Sequence, residues 1–263
     1  MPAVAKLPHV YSKIDRAKKH VAELQLCFDE FAHANPCRVV AEYDEKSGRL
    51  NIVVRDWKEP PAEFGLIAGE AIHQLRSALD HIVWLLFERA GVRPPGRQTG
   101  FPIFHEGGKK YEAEGKAKIR GLSAELSARI EGFQPFKRSL APKDDLLWLL
   151  HDLNNTDKHR VLLVTQAYIG HGAADFFFEP EIKIAKGRSY SLTVDGPLKP
   201  GATLCWFETE QRKVTVTGKV AVAVGLVDVG TAKYQPAIPF LNQLSDYVRE
   251  IATNFEPDFE KPL

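Results

Sequence analysis

Near Val161 the hydrophobic period of the chain changes, and this change limits the possible folds more than any other feature. Upstream, apolar residues recur at intervals of three and four. Val10, Ile14, Ala17, Val21, Leu24, Phe28 and Phe31 form one such series; Ile67, Ala71, Leu75, Ala78, Leu79, Ile82 and Leu86 form another. That spacing places each series on one face of a helix. Downstream, "RVLLVTQAYI", "ADFFFEPEIKIA", "SYSLTVDG", "ATLCWFETE" and "KVTVTGKVAVAVGLVDV" are strand-like runs broken by Gly, Pro and Asp. The helical period then returns with Ile238, Leu241, Leu244, Val248 and Ile251. A sheet must therefore fit between helices. The expected class is α+β: a helical bundle with an N-terminal β-hairpin and an inserted antiparallel β-sheet before a C-terminal helix. One domain is expected over residues 1–263, with a helical part at 1–160 and 235–263 and a β-rich part at 161–232.

Local signals set the boundaries. Asn35-Pro36 closes a first helix over 9–34. Lys46-Ser47-Gly48 separates two β-branched runs and marks a hairpin. Pro60-Pro61 opens a second helix over 61–90, closed by Gly91. Shorter helices are expected near 122–131 and 143–155, the latter with Asp144 and Asp145 at its positive end. The last helix is expected over about 236–254. Asn154-Asn155-Thr156-Asp157 reads as turn chemistry leading into the strand at Val161.

Charge excludes one broad class of function. The 35 basic and 34 acidic side chains leave a formal net charge of +1, so any nucleic-acid binding must come from a local patch. Cys27, Cys37 and Cys205 give no disulfide framework and no metal knuckle. Reduced thiols and a cytoplasmic location are expected. The first twenty residues lack the apolar run of a signal peptide, and no stretch is apolar for long enough to span a membrane.

The second helix carries an unusual load. His73, Arg76, Ser77, Asp80 and His81 crowd into "HQLRSALDH", opposite the apolar series on a helical wheel. Leu66, Trp84 and Phe87 fall on the same face, at its two ends. Apolar ends with a charged middle suit a groove or an interface, where buried polar groups must find partners. A second polar cluster lies in "DDLLWLLHDLNNTDKHRVLLV", with His151, Asn155 and Lys158 away from the leucine face and Trp148 beside them. Both clusters flank apolar faces that share a core, so His73, Arg76 and Asp80 are expected to approach the segment 148–160.

Arg76-Ser-Ala-Leu-Asp-His81 resembles the Arg-polar-x3-His motif of HEPN domains. "HQLRSALDHIVW", "FPIF", "GFQPF" and "NTDKHRVLL", over roughly residues 65–165, are also similar to a group of uncharacterised bacterial and phage proteins. The first resemblance implies a helical bundle, a homodimer in which two copies of the motif helix face each other, and metal-independent RNA cleavage or RNA binding. In that chemistry a histidine takes the ribose 2′-hydroxyl proton and a cation steadies charge on the phosphate. His81 and Arg76 would fill those roles, with Asp80 as a third catalytic candidate. His73, Ser77, His151, Asn155, Lys158, His159 and Arg160 are binding candidates, the last three toward the RNA backbone. His81 and Arg76 lie about 140° apart at ~100° per residue, so a single helix does not aim both at one phosphate.

A second reading stands beside the first. In it the polar clusters are architectural and lock a helix pair, or bind a small ligand without catalysis. No cofactor is expected. Glu30-x-x-His33 and Glu70-x-x-His73 both fit a di-metal pattern, but an antiparallel helix pair would not bring them level. His73 and His81 are eight residues apart, about 12 Å along a helix, too far to share one metal. The nucleophile elbow, the P-loop and the dinucleotide fingerprint are all missing from the sequence.

Overall fold

The structure is a computed structural model that describes residues 7–159, 166–183, 190–192, 199–226 and 235–259. Helix α1 (Pro8–His33) has proline in its first turn, where a missing N–H costs nothing. It buries Val10, Ile14, Ala17, Val21, Leu24 and Phe31. Asn35, at φ 52°, turns the chain into the hairpin β1 (Cys37–Asp44) and β2 (Arg49–Trp57). Asp44 organises that turn by accepting from Ser47 Oγ at 2.6 Å and from the Lys46 amide at 3.0 Å. Helix α2 (Glu63–Ala90) follows and ends on Gly91 in the left-handed region.

Three short helices follow: α3 (Lys116–Lys118), α4 (Ala124–Gly132) and α5 (Pro135–Arg138). Ser123 caps α4 by accepting from the Leu126 amide at 3.2 Å. Helix α6 (Leu146–His159) starts on Asp145, whose carboxylate accepts from the Leu147 amide at 2.8 Å. Strands β3 (Gln166–Glu179), β4 (Tyr190–Leu192), β5 (Thr203–Glu208) and β6 (Thr215–Gly225) precede the last helix, α7 (Ala237–Phe255).

The order of elements is the expected α+β arrangement. The hairpin is part of the later sheet: β1-β2-β5-β4 is one antiparallel sheet, with Leu50 opposite Phe207 and Ile52 opposite Cys205. Strands β3 and β6 form a separate antiparallel ribbon. Helix α2 is the centre of the bundle and packs on α1, α6 and α7. Ile72, Leu75, Ala78, Leu79, Ile82 and Val83 are fully buried there.

Two expectations need correction. Asn154 to Asp157 do not stop α6, which runs to His159. Asn154 is only 3% exposed, and Asn155 bonds back to His151 one turn earlier, so neither residue forms the expected turn. Phe87, placed on the polar face by helical spacing, is fully buried, because the loop around Gly121 lies over its ring. Leu66 and Trp84 remain exposed, at 55% and 48%.

Candidate functional site

The polar residues of α2 separate into three environments. The first is internal. Arg76 Nη2 donates to the Phe101 carbonyl at 2.8 Å, and the Phe101 amide donates to Asp80 Oδ1 at 2.9 Å. Arg76 Nη1 lies 2.9 Å from the same carboxylate oxygen, as an ion pair off the hydrogen-bond line. Both backbone groups of Phe101 are thus held by one turn of α2. Burial lowers the pKa of Arg76, and the Asp80 charge acts against that loss. Gly100 lets the strap approach: a methyl group there would come within 2.6 Å of Asp80 Oδ1.

Gln134 completes the fastening. It is fully buried, donates to the Pro102 carbonyl at 2.7 Å and accepts from the Phe104 amide at 3.1 Å. "RSALDH", "FPIF" and "GFQPF" therefore meet at one place, where two side-chain clamps hold the backbone of residues 101–104. Beside this clamp lies His151, bonded through Nε2 to Asn155 Nδ2 at 2.9 Å. The Trp148 ring lies between His151 and His105, with centroids at 5.3 Å and 4.1 Å. Burial, followed by the nearby Arg76, Lys158 and Lys118 charges, holds His151 down to a pKa of about 4.

The second environment is on another side of α2. His81 is exposed and faces the N-terminal end of α1. Partial desolvation of the ring, then the positive charges of Lys13 and His9, lower its pKa; Asp80 and Glu88 oppose this. The lowered pKa favours the neutral imidazole, the form that accepts a proton.

The third is a cleft of about 530 Å³ between α1, α2 and the end of α6, lined by Arg16, His20, Leu66, Glu70, His73 and Asp157, among others. His20 meets Glu70 here while Lys13 meets His81, so α1 and α2 run antiparallel. Gly69 forms the floor, because a methyl group at that position would collide with the Asp157 carboxylate. Burial raises the pKa of Asp157, and neighbouring His73 lowers it.

The expected approach to the segment 148–160 is found for two of the three residues: His73 shares the cleft with Asp157 and Arg76 is near His151, while Asp80 is engaged by the Phe101 amide. His81 is not brought to Arg76. Ser77 is half-buried, Asn155 is engaged by His151, and Lys158 is exposed at the end of α6. Arg160 and the side chain of His159 lie outside the described residues. Sequence reasoning missed Gln134, whose signal was a polar residue inside the apolar run "GFQPF". It also missed His20, which lies on the apolar line of α1. Among the described residues no group of three His, Cys, Asp or Glu is arranged to hold a metal, and no helix is long and apolar enough to cross a membrane. No family model, no curated protein and no solved structure matches the chain.

Proposed function

We propose that the face shared by α1 and α2 binds RNA through its phosphates, and that His81 is the base of a metal-independent cleavage. The observation that carries this reading is the setting of His81: an exposed imidazole beside Lys13 and His9, with its pKa lowered. Lys13 supplies a local positive charge that the near-neutral chain as a whole does not. The neutral imidazole takes the proton of a ribose 2′-hydroxyl. The 2′-oxygen attacks phosphorus, and Lys13 offsets the charge that grows on the phosphoryl oxygens. The 5′-oxygen leaves and takes a proton from solvent, so a 2′,3′-cyclic phosphate remains.

In this reading Arg76 acts through the fold. Its guanidinium is committed to Phe101 and Asp80, so the phosphate-facing cation is Lys13. The binding step is tested by fluorescence anisotropy with a single-stranded RNA across a salt series. Lys13→Ala should weaken binding and reduce the salt slope by about 0.7, the value for one phosphate contact on a single strand. An unchanged slope contradicts the reading. A second reading, a non-catalytic module, is favoured by one observation, the double clamp on residues 101–104. It predicts a protein that cuts no RNA and in which polar substitutions change only stability.

A further inference from the structure

We infer that Trp84 is a stacking platform for one unpaired base, so that the ligand of the α1–α2 face is single-stranded RNA held with little sequence preference; this rests on the RNA reading of His81. The polar face of α2 ends in two aromatic residues with different fates. Phe87 is fully buried under the loop around Gly121, whereas Trp84 is 48% exposed. Trp84 is three positions from His81, which is exposed as well. On a helix that spacing puts the two side chains ~60° apart around the axis, with about 5–6 Å between their Cβ atoms. One nucleotide can therefore place its base on the indole and its ribose at the imidazole.

The indole is held ready for stacking. Its Nε1 donates to Glu88 Oε1, one turn on, at 3.0 Å. That bond fixes the ring on the helix surface, so less freedom is lost when a ligand lands on it. It also occupies the only hydrogen-bond donor of the side chain. What remains for a ligand is a π face. Every base has a face that stacks on it, so the contact separates unpaired from paired bases and hardly one base from another.

Charge decides which part of the RNA lies here. The Glu88 carboxylate beside the ring repels phosphate. Lys13, on α1 near His81, attracts it. The backbone is therefore drawn toward α1 and the base toward Trp84. In a duplex the bases stack on each other, and their faces are closed to the indole. A single strand, a loop or a frayed end presents the face that fits.

Fluorescence anisotropy of the whole chain with a 2′-O-methylated oligouridylate tests this, because the methylated 2′-oxygen has no proton to lose and the strand stays intact. Trp84→Ala should weaken binding at least ~5-fold, the low end for one base on an aromatic side chain, with an unchanged salt slope and a nearly unchanged melting temperature. Trp84→Phe keeps a ring and should retain most of the affinity. A 2′-O-methylated duplex should bind the wild type and Trp84→Ala equally. Equal single-strand affinity in the wild type and Trp84→Ala overturns the proposal, and so does an equal loss on single strand and duplex. If Trp84→Ala instead turns a dimer into a monomer in sedimentation velocity while RNA affinity holds, the ring is a subunit contact and the proposal falls. Lys13→Ala separates the two failures. A reduced salt slope there, with no effect of Trp84→Ala, overturns the stacking alone and leaves the RNA reading standing. Wild-type protein that binds neither RNA overturns both.

Discussion

Arg76 and Asp80, one turn apart on α2, grip the same residue from two sides: Arg76 holds the carbonyl of Phe101 at 2.8 Å and Asp80 holds its amide at 2.9 Å. The Arg76 side chain is 13% exposed and that of Asp80 40%. Arg76→Ala should therefore cost about 3 kcal/mol, the low end for breaking a buried charged pair. Asp80→Asn, at a wetter position, should cost about 1 kcal/mol. Urea unfolding of both variants checks the order as well as the sizes.

Gln134 makes a comparable prediction without charge. Gln134→Leu leaves the Pro102 carbonyl and the Phe104 amide unpaired in the core. A loss of about 2–4 kcal/mol is expected from two unsatisfied backbone groups. A melting temperature equal to that of the wild type would show that water replaces the amide.

His151 sets a pH limit on stability. Its folded pKa, about 4, is below the value of about 6.5 for an unperturbed histidine. The unfolded chain therefore binds the proton more readily. The contribution of His151 is fully present above about pH 6.5 and is lost as pH falls toward 4, to at most about 3 kcal/mol. His151→Gln should flatten the stability profile between pH 6.5 and 4. A profile with the same slope in both proteins would place the acid sensitivity elsewhere.

Much of the architecture was legible because it rests on periodicity. The switch from helical to strand spacing near Val161 and back near Ile238 defines the α+β order, and Lys46-Ser47-Gly48 marks the hairpin. The end of α6 was misread because Asn154 and Asn155 favour turns when their side chains bond locally. In the folded chain Asn154 is buried and Asn155 bonds His151, which removes that competition. Phe87 was misplaced because a wheel cannot show the distant loop around Gly121 that covers it. The site was legible only in part. Crowded polar groups on α2 announced that something unusual was there, but not that Arg76 and Asp80 close on Phe101 while His81 faces Lys13. Those partners lie on other segments, 21 to 68 residues away by position, and helical spacing carries no information about them. His20 was hidden for the opposite reason: it sits within an apolar series that reads as core.

Cleavage of a single-stranded RNA by wild type and His81→Ala, measured beside their melting temperatures, tests the central claim most directly. Alanine keeps the helix favourable at this exposed position. The account predicts a fall in rate of at least ~100-fold, the low end for losing a general base, with a nearly unchanged melting temperature. It also predicts a cyclic phosphate product and a wild-type rate that rises through a pKa below the ordinary histidine value, because partial desolvation, then Lys13 and His9, lower that of His81. Wild-type protein that cuts no RNA, or a variant that cuts as fast as the wild type, would contradict it and leave α2 with the clamping role alone.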